Sequence, residues 1–254
     1  MNAVVARTPR ARSPFLAILL YTLRSCFPRK RWLAVLVPSA GAVLFGLLAH
    51  AVHGSAQRAF ASVGADGIFG LVVPITALVI GDSVLGAEVR AGTFHFTFLS
   101  PVPTWKIAVG RWLGGSIVAL VTIAPACALA ALVAGTPKSA APAFVAAAVG
   151  SIAYVAVFIA IAALTRRTAV WSLAFVFLVE RLLGAALTGV AQLSPTWESR
   201  AIFLRYLTDV PSDVVRKGIP QGGAAIVRLC IVSAVALVIA TWRMNHMRIA
   251  GAAD

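Results

Sequence analysis

Charge is scarce in this sequence of 254 residues, and acidic residues are the scarcest charged type. Only 12% of the residues are charged, and eight Asp and Glu stand against 22 Lys and Arg. Soluble domains carry about 25% charged residues, whereas 60% of this chain is hydrophobic and its mean hydropathy is +0.93. The composition excludes a water-soluble enzyme core, a coiled coil and a disordered tail, and it predicts an integral membrane protein.

Metal-binding and disulfide patterns are also missing. Cys26, Cys127 and Cys230 are far apart and odd in number, so they form neither a disulfide framework nor a zinc-ligand spacing. His50 and His53 are three residues apart, but no third ligand lies near them in sequence, and the end of an interfacial helix explains them as well. We therefore expect no metal and no cofactor bound by this chain.

A phosphate-binding loop is a third absence. The pattern G-x-x-x-x-G-K-[ST] needs a lysine directly after a glycine, and the four lysines follow Arg29, Trp105, Pro137 and Arg216. The chain is therefore not expected to hydrolyse ATP through such a loop. Any nucleotide-driven motor that it uses must be a separate polypeptide.

Long apolar runs are abundant by contrast. A helix needs roughly 20 apolar residues to cross a bilayer, and charged residues separate six runs of about this length, at 32–52, 67–87, 112–136, 141–165, 168–191 and 222–242. The expected fold is all-α: a polytopic membrane protein with six transmembrane helices at 32–242, preceded by residues 1–31 and followed by a tail at 243–254.

Two segments outside these runs also have helical potential. After three arginines, Phe15, Leu19 and Leu23 recur every four residues, which predicts an amphipathic helix lying at the membrane surface with these side chains inward. The loop 194–221 is long and polar, and only Ala201 to Leu207 is apolar enough to dip back toward the membrane. We expect a short helix there.

The basic residues indicate the orientation of the chain. With both termini on the same side, fourteen Lys and Arg lie on the side of the termini, six lie in the other loops, and Arg181 and Arg228 fall inside runs. The positive-inside rule places the richer side in the cytoplasm. Much of the formal charge of +14 is thus explained by topology, and no nucleic-acid partner is expected.

Three of the ionisable residues inside the predicted spans, Asp82, Glu180 and Arg181, are candidates for function. Asp82 lies near the inner end of the second span, where hydration of the helix end explains it, and Glu180 and Arg181 lie near the middle of the fifth. Charged groups inside a membrane are costly and mark functional positions by default. Since adjacent helical residues do not face each other, each should find a partner on another helix or reach a water-filled cavity. A structural pair, a substrate contact and a catalytic role all remain open.

The inner loop between the second and third spans has the most informative pattern, GAEVRAGTFHFTFLSPVPTWKIAVGRWLGG. Glu88 and Arg90 end a helix, Gly92 permits a sharp turn, and Thr93 is a suitable helix cap. An apolar stripe of Phe94, Phe98 and Leu99 then ends at Pro101 and Pro103, which stop helices. The pattern predicts a short surface helix whose apolar face is buried against the bilayer surface or another protein.

This segment resembles the cytoplasmic loop of ABC-2 type transporter permeases. The residues that carry the resemblance span about 25 positions and are Glu88, Gly92-Thr93, Phe94, Leu99, Ser100-Pro101-Val102, Ile107 and Gly110-Arg111. The span count, loop lengths and terminal surface helix extend it over the whole chain. The sequence departs from the family at Ala91, where a polar residue is frequent, and at Phe98-Leu99, where a leucine pair is frequent, which bears on partner specificity.

The resemblance implies a transmembrane subunit of an ATP-driven exporter in the cell inner (plasma) membrane. Two such subunits, identical or homologous, would form the pathway, and each would seat its coupling helix on a cytoplasmic ATPase subunit that binds ATP and Mg. Phe94, Phe98 and Leu99 would be the buried anchors, while Glu88 and Arg90 would pair with charges on the ATPase. A lipid, a peptide or an amphipathic compound suits the aromatic residues of the spans.

Other classes of function remain open on the sequence alone. An importer-type permease would carry its glycine-containing loop closer to the C-terminus than Gly92 stands. An intramembrane enzyme could use Glu180, His50 or Asp82, but these residues are predicted at different depths. A membrane scaffold without transport activity would have the same composition.

Overall fold

The computed structural model describes residues 13–26, 31–52, 55–94, 102–207 and 222–246. Nearly all of these residues are helical, and no strand occurs among them. A helix satisfies its own backbone hydrogen bonds, as an apolar chain in lipid requires. The prediction of an all-α fold is therefore confirmed.

Helices make up most of each described range, and the connections between them differ in length. In order, the helices are α1 (Pro14–Cys26), α2 (Arg31–Ala51), α3 (Ala56–Ala91), α4 (Thr104–Val133), α5 (Ala140–Leu164), α6 (168–186), α7 (Thr188–Ala191), α8 (Pro195–Arg205) and α9 (Gly222–Asn245).

Two of these helices contain wider, π-helical turns. In α3 these are Gly64–Val72 and Asp82–Gly86, and in α6 the stretch Phe175–Leu183 lies between Thr168–Ala174 and Gly184–Ala186. A π-helical turn changes the register of the side chains and often occurs at functional sites. Asp82, Glu180 and Arg181 lie in such stretches, whereas Arg228, which is also inside a predicted span, lies in the regular α-helix α9.

Four helices of the described ranges are long and apolar enough to cross a membrane, namely Ala56–Ala91, Thr104–Val133, Pro137–Leu164 and Gly223–Asn245. Helices α2 and α6 occupy the other two predicted spans. Neither is among the four: the apolar stretch of α2 is the shorter segment Ser39–Ala51, and α6 contains the charged residues Glu180 and Arg181. The structure thus supports a helical bundle with four candidate membrane-spanning helices, and the six-span count stays a prediction.

Helix α5 lies at the centre of the bundle and contacts α3, α4, α8 and α9. It forms an antiparallel hairpin with α4 through a turn in which Gly135 has a φ of +78°. Glu88 of α3 and Arg111 of α4 lie at the other end of these helices. We call the end with these two residues the motif end, and the end with the Gly135 turn the opposite end.

The first part of the loop predicted at 194–221 lies inside the bundle. Ser199 of α8 lies against Gly150 of α5, and Thr196 contacts the hydroxyl of Tyr154 one turn further along α5. Helix α8 therefore runs antiparallel to α5, and it begins deep in the bundle and extends toward the opposite end.

The start of α8 follows from local sequence signals that the prediction of a short helix at 201–207 did not use. Ser194 caps the helix, because its hydroxyl accepts a hydrogen bond from the Trp197 N–H at 3.4 Å. Pro195 follows at the first helical position, where its missing N–H costs nothing. The predicted boundaries are thus corrected: the helix is Pro195–Arg205.

Helix α1 packs against the beginning of α4. Ile18 and Thr22 face Gly110 and Gly114, where the lack of side chains lets the two helices approach closely. The predicted inward stripe, residues 15, 19 and 23, is half-buried, whereas Thr22 is fully buried. The inward face is therefore rotated toward Thr22, and the location of α1 at a membrane surface stays a prediction.

Helices α2 and α4 also meet at a glycine. A Cβ atom on Gly46 would lie 2.9 Å from the Ala130 Cα and closer still to its carbonyl oxygen. Because this neighbour is backbone, Gly46→Ala should force the helices apart and lower the free energy of unfolding by about 1–3 kcal/mol. Thermal unfolding of the detergent-solubilised protein measures this change.

Gly41→Ala is the matched control on the same helix. A Cβ atom on Gly41 would meet only the Val72 side chain, at an ordinary 3.7 Å. Alanine favours a helix over glycine by about 0.5–1 kcal/mol, so this variant should be neutral or slightly stabilised. Equal losses in the two variants would contradict the close contact at Gly46.

Candidate functional site

The loop motif begins where α3 ends at the motif end. Gly92 has a φ of 68°, a left-handed conformation that glycine adopts without strain. The Gly92 N–H donates to the Val89 carbonyl at 3.4 Å, and the Thr93 N–H donates to the Glu88 carbonyl at 3.1 Å. These bonds close the last turn of α3, so Thr93 completes the preceding helix, and the surface helix that it was expected to cap lies outside the described residues.

Glu88 and Arg111 form an ion pair that joins α3 to α4. The Arg111 Nη2 lies 2.6 Å from the Glu88 Oε2, and the Arg111 Nη1 donates to the Val84 carbonyl at 2.5 Å. The side chain of Arg111 is 1% exposed and that of Glu88 is 13% exposed. A charge so deeply buried is stable only with such a partner, so this pair fixes the two ends of the loop motif to each other.

Two aromatic rings complete the surroundings of Arg111. The centroid of the Phe94 ring lies 5.7 Å from its guanidinium carbon, and that of the Tyr21 ring lies 5.9 Å away. Both distances are within the range of cation–π attraction. Partial burial raises the pKa of the Tyr21 phenol, and the nearby Glu88 carboxylate adds to the rise. Helix α1 thus contributes to the same cluster as the loop.

Asp82 and Arg90 form a second ion pair at the motif end. Arg90 donates through both Nη atoms to the Asp82 carboxylate, with a distance of 2.8 Å between Nη2 and Oδ2. The side chain of Arg90 is 42% exposed and that of Asp82 is 21% exposed. An exposed pair of this kind contributes only about 0–1 kcal/mol to stability. Asp82 is therefore engaged by Arg90 near the end of α3, and the pair adds little to the stability of the fold.

Several residues predicted to contact an ATPase have partners within the chain instead. Glu88 and Arg90, expected to pair with charges on an ATPase, both have partners within the chain. Phe94 is only 7% exposed, so its ring is already buried inside this subunit. Val102 is half-buried just before α4. The remaining predicted loop residues, Phe98, Leu99 and Pro101, lie outside the described residues.

Glu180 is the centre of a second buried cluster, which we call the Glu180 cluster and which consists of Glu180, Tyr154, Ser194 and Thr196. The Tyr154 hydroxyl donates to Oε2, and the Thr196 hydroxyl donates to the same oxygen at 3.0 Å. Oε1 accepts from the Ser194 hydroxyl at 2.8 Å and from the Thr196 N–H at 3.4 Å. Glu180 is 8% exposed and Tyr154 is fully buried.

The Glu180 cluster links three helices. Its carboxylate lies at the N-terminus of α8, where free N–H groups and the helix dipole favour negative charge, and Tyr154 connects it to the central helix α5. Both carboxylate oxygens are occupied by donors from this chain. Of the three roles that the sequence leaves open for Glu180, this geometry favours the structural one.

Arg181 points away from its neighbour Glu180 and toward α3. Its Nη2 donates to the Gly70 carbonyl at 3.1 Å and to the Asp66 carbonyl at 3.4 Å. The side chain is exposed. The adjacent Glu180 and Arg181 thus bond to different helices, and they do not pair with each other.

Two further ion pairs attach α8 to its neighbours, and sequence reasoning missed both. Arg200 pairs with Asp66 of α3 at 3.0 Å, and Glu198 pairs with Arg228 of α9 at 3.0 Å. Arg228 inside an apolar run was the available signal, because a charge there requires a partner. Among the described residues, no three His, Cys, Asp or Glu side chains come close enough to hold a metal ion.

The fold and the two clusters define a helical membrane protein with polar links between its helices. A scan against models of protein families finds no match for the chain, and a search of curated proteins finds none either.

Proposed function

We propose that the chain is a transmembrane permease subunit of an ATP-binding cassette exporter of the ABC-2 type. The observation that carries the proposal is the ion pair between Glu88 and Arg111. These residues stand at the first and last positions of the loop motif, and they are 2.6 Å apart in the folded chain. The motif thus emerges from a closed, rigid junction of two helices.

Such a junction suits the transmission of force. A loop held only by its backbone would deform when pulled, whereas a buried ion pair with packed rings moves its two helices together. Closure of the ATPase subunits on ATP and Mg would pull on the loop 95–101 and tilt α3 and α4 as a unit. Access to the pathway would then alternate between the two sides of the membrane.

The proposed surface for the ATPase partner is narrower than the one expected from the sequence. Since Glu88, Arg90 and Phe94 are engaged inside the subunit, two of the three predicted apolar anchors, Phe98 and Leu99, are left for the ATPase. A second permease subunit and membrane lipids complete the assembly. In this proposal both termini are cytoplasmic, and the cargo is a lipid, a peptide or an amphipathic compound.

Co-purification tests this function. The full-length chain, purified from membranes of its own host, should bring with it an ATPase that carries a phosphate-binding loop, and the complex should hydrolyse ATP. Phe98→Asp should abolish recovery of the ATPase, because it places a charge in the apolar contact. Phe98→Leu, the matched control, should retain it.

Recovery of the ATPase with Phe98→Asp at the level of the unchanged chain would remove Phe98 from the interface. Absence of any such ATPase from the purified unchanged chain would overturn the permease assignment itself. Thermal unfolding of both Phe98 variants shows whether each is folded.

A further inference from the structure

Two arginines converge on one point near the opposite end of the bundle. A Cβ atom on Gly70 would lie 2.6 Å from the Arg181 Nη2 and 2.8 Å from the Arg200 Nη2. The two nitrogens are therefore no more than about 5.4 Å apart, the sum of those distances. Two guanidinium groups repel each other at this separation, so other contacts must hold them there.

Backbone carbonyls of α3 hold the two side chains in place. The Arg200 Nε donates to the Ala65 carbonyl at 2.6 Å, and Arg181 donates to the carbonyls of Asp66 and Gly70. All three carbonyls belong to the π-helical stretch Gly64–Val72, where the regular hydrogen-bond pattern is altered. Both guanidinium groups are thereby oriented before any ligand arrives.

The two arginines differ in their direct partners. Arg200 pairs with the Asp66 carboxylate at 3.0 Å, whereas Arg181 bonds to carbonyls and to no carboxylate among the described residues. Glu180 is directed to Tyr154 and α8 instead. The charges of both Asp66 and Glu180 act on Arg200, so Arg181 is the guanidinium without a direct carboxylate partner among the described residues. An anion at this point would supply that partner and reduce the repulsion between the two arginines.

The depth of the arginines indicates where such an anion would come from. Asp66 and Glu88 are 22 residues apart on α3, which at 1.5 Å per residue or slightly less corresponds to roughly 30 Å. This is about the thickness of the hydrocarbon core. If the motif end lies at one membrane interface, the two guanidinium groups, which bond to carbonyls of residues 65–70, lie near the other interface, although the backbone of Arg181 is closer to the middle of its helix.

The side of the molecule that Arg181 occupies is apolar. Leu178 and Leu182, one turn before and one residue after it, are 56% and 64% exposed. Leucines exposed to this extent on a membrane helix face acyl chains, so an exposed arginine between them is within reach of lipid phosphates.

We propose that Arg181 and Arg200 bind the phosphate group of a membrane lipid, with Gly70 providing the space between them. Guanidinium groups bind phosphate oxygens through paired, charge-assisted hydrogen bonds, and basic pockets between membrane helices bind anionic headgroups. The inference requires residence in a membrane and does not depend on the permease function, so it can fail or hold independently of that proposal.

Native mass spectrometry of the full-length chain in detergent, titrated with phosphatidylglycerol, tests the site. Arg181→Gln should weaken lipid binding by about tenfold or more, the loss of a charge-assisted hydrogen bond, and Arg181→Lys should weaken it less. Gly70→Ala should also weaken binding, because its Cβ displaces both guanidinium groups. Arg205→Gln is the matched control, since Arg205 is an exposed arginine at the same end that lies beside Gly223.

Several outcomes would overturn the proposal. One is unchanged lipid binding by Arg181→Gln, and another is an equal loss in Arg205→Gln. Displacement of the lipid by inorganic phosphate at matched concentration would identify a site for free phosphate instead. Should Arg181→Gln fail to fold, Asp66→Asn provides the complementary test: removal of the carboxylate that pairs with Arg200 should tighten lipid binding, and weaker or unchanged binding would overturn the site.

Discussion

Arg111→Ala is expected to lower the free energy of unfolding by about 3–5 kcal/mol, the range found when one partner of a buried ion pair is removed. The substitution leaves the Glu88 carboxylate, 13% exposed, without its counter-charge. It also removes the donor to the Val84 carbonyl and the cation between the rings of Tyr21 and Phe94. Denaturant unfolding in detergent measures the loss.

Three controls isolate the ion pair. Arg166→Ala removes an exposed arginine at the same end and should change stability by less than about 0.5 kcal/mol. Arg111→Lys should fall between, since lysine keeps the charge and loses the planar fork. Adding Glu88→Ala to Arg111→Ala should cost little more, because the two residues act as a unit. A loss below about 1 kcal/mol for Arg111→Ala, or additive losses in the double variant, would contradict a buried pair.

Glu180→Ala should have an effect of similar size, a loss of at least about 3 kcal/mol. The carboxylate accepts hydrogen bonds from the hydroxyls of Tyr154, Ser194 and Thr196, and each buried donor left without a partner costs about 1–3 kcal/mol. Because the carboxylate also caps α8, amide hydrogen exchange in α8 should become faster. Unfolding and exchange measurements together report both effects.

Glu180→Gln keeps an accepting oxygen and should lose less stability than Glu180→Ala. Leu178→Ala, an exposed change two residues away, should be close to neutral. A loss below about 1 kcal/mol with unchanged exchange in α8 would show that the Glu180 cluster does not hold α8 in the bundle.

The helices could be predicted well because the apolar runs are long and charges mark their ends. The predicted run at 141–165 corresponds to Ala140–Leu164, and the run at 222–242 to Gly222–Asn245. Helices α3 and α4, which contain the second and third predicted spans, begin earlier than those spans, at Ala56 and Thr104. In both cases the hydrophobic run fixes the part of the helix suited to lipid, while the helix itself continues into polar sequence.

The partners of the charged residues could not be predicted in the same way. Glu88 and Arg111 are 23 residues apart, and Arg200 and Asp66 are 134 apart, so only the packing of the helices brings them together. Sequence periodicity gives the face of a helix but not the residue that it meets. For this reason the resemblance of the loop implies contacts of Glu88 and Arg90 with another protein, whereas the fold provides partners for both within the chain.

The burial of α8 after α6 could not be predicted either, because it also depends on contacts between residues that are distant in sequence. The polar residues at 194–200 predict a loop in water, because the sequence does not show which residues they contact in the fold. In the folded chain Glu198 and Ser199 are buried, and Glu198 is compensated by Arg228 of α9. Burial of polar groups becomes acceptable only when their partners are known.

Photo-crosslinking from position 98 tests the proposed function most directly, namely that the segment 88–111 couples the chain to an ATPase. A photoreactive aromatic residue replacing Phe98 in the full-length chain in its host membrane should yield a crosslink to a polypeptide that contains a G-x-x-x-x-G-K-[ST] loop. The same residue replacing Phe144, an exposed side chain toward the opposite end, should yield none. Failure to capture such an ATPase from position 98, or equal capture from both positions, would contradict the account.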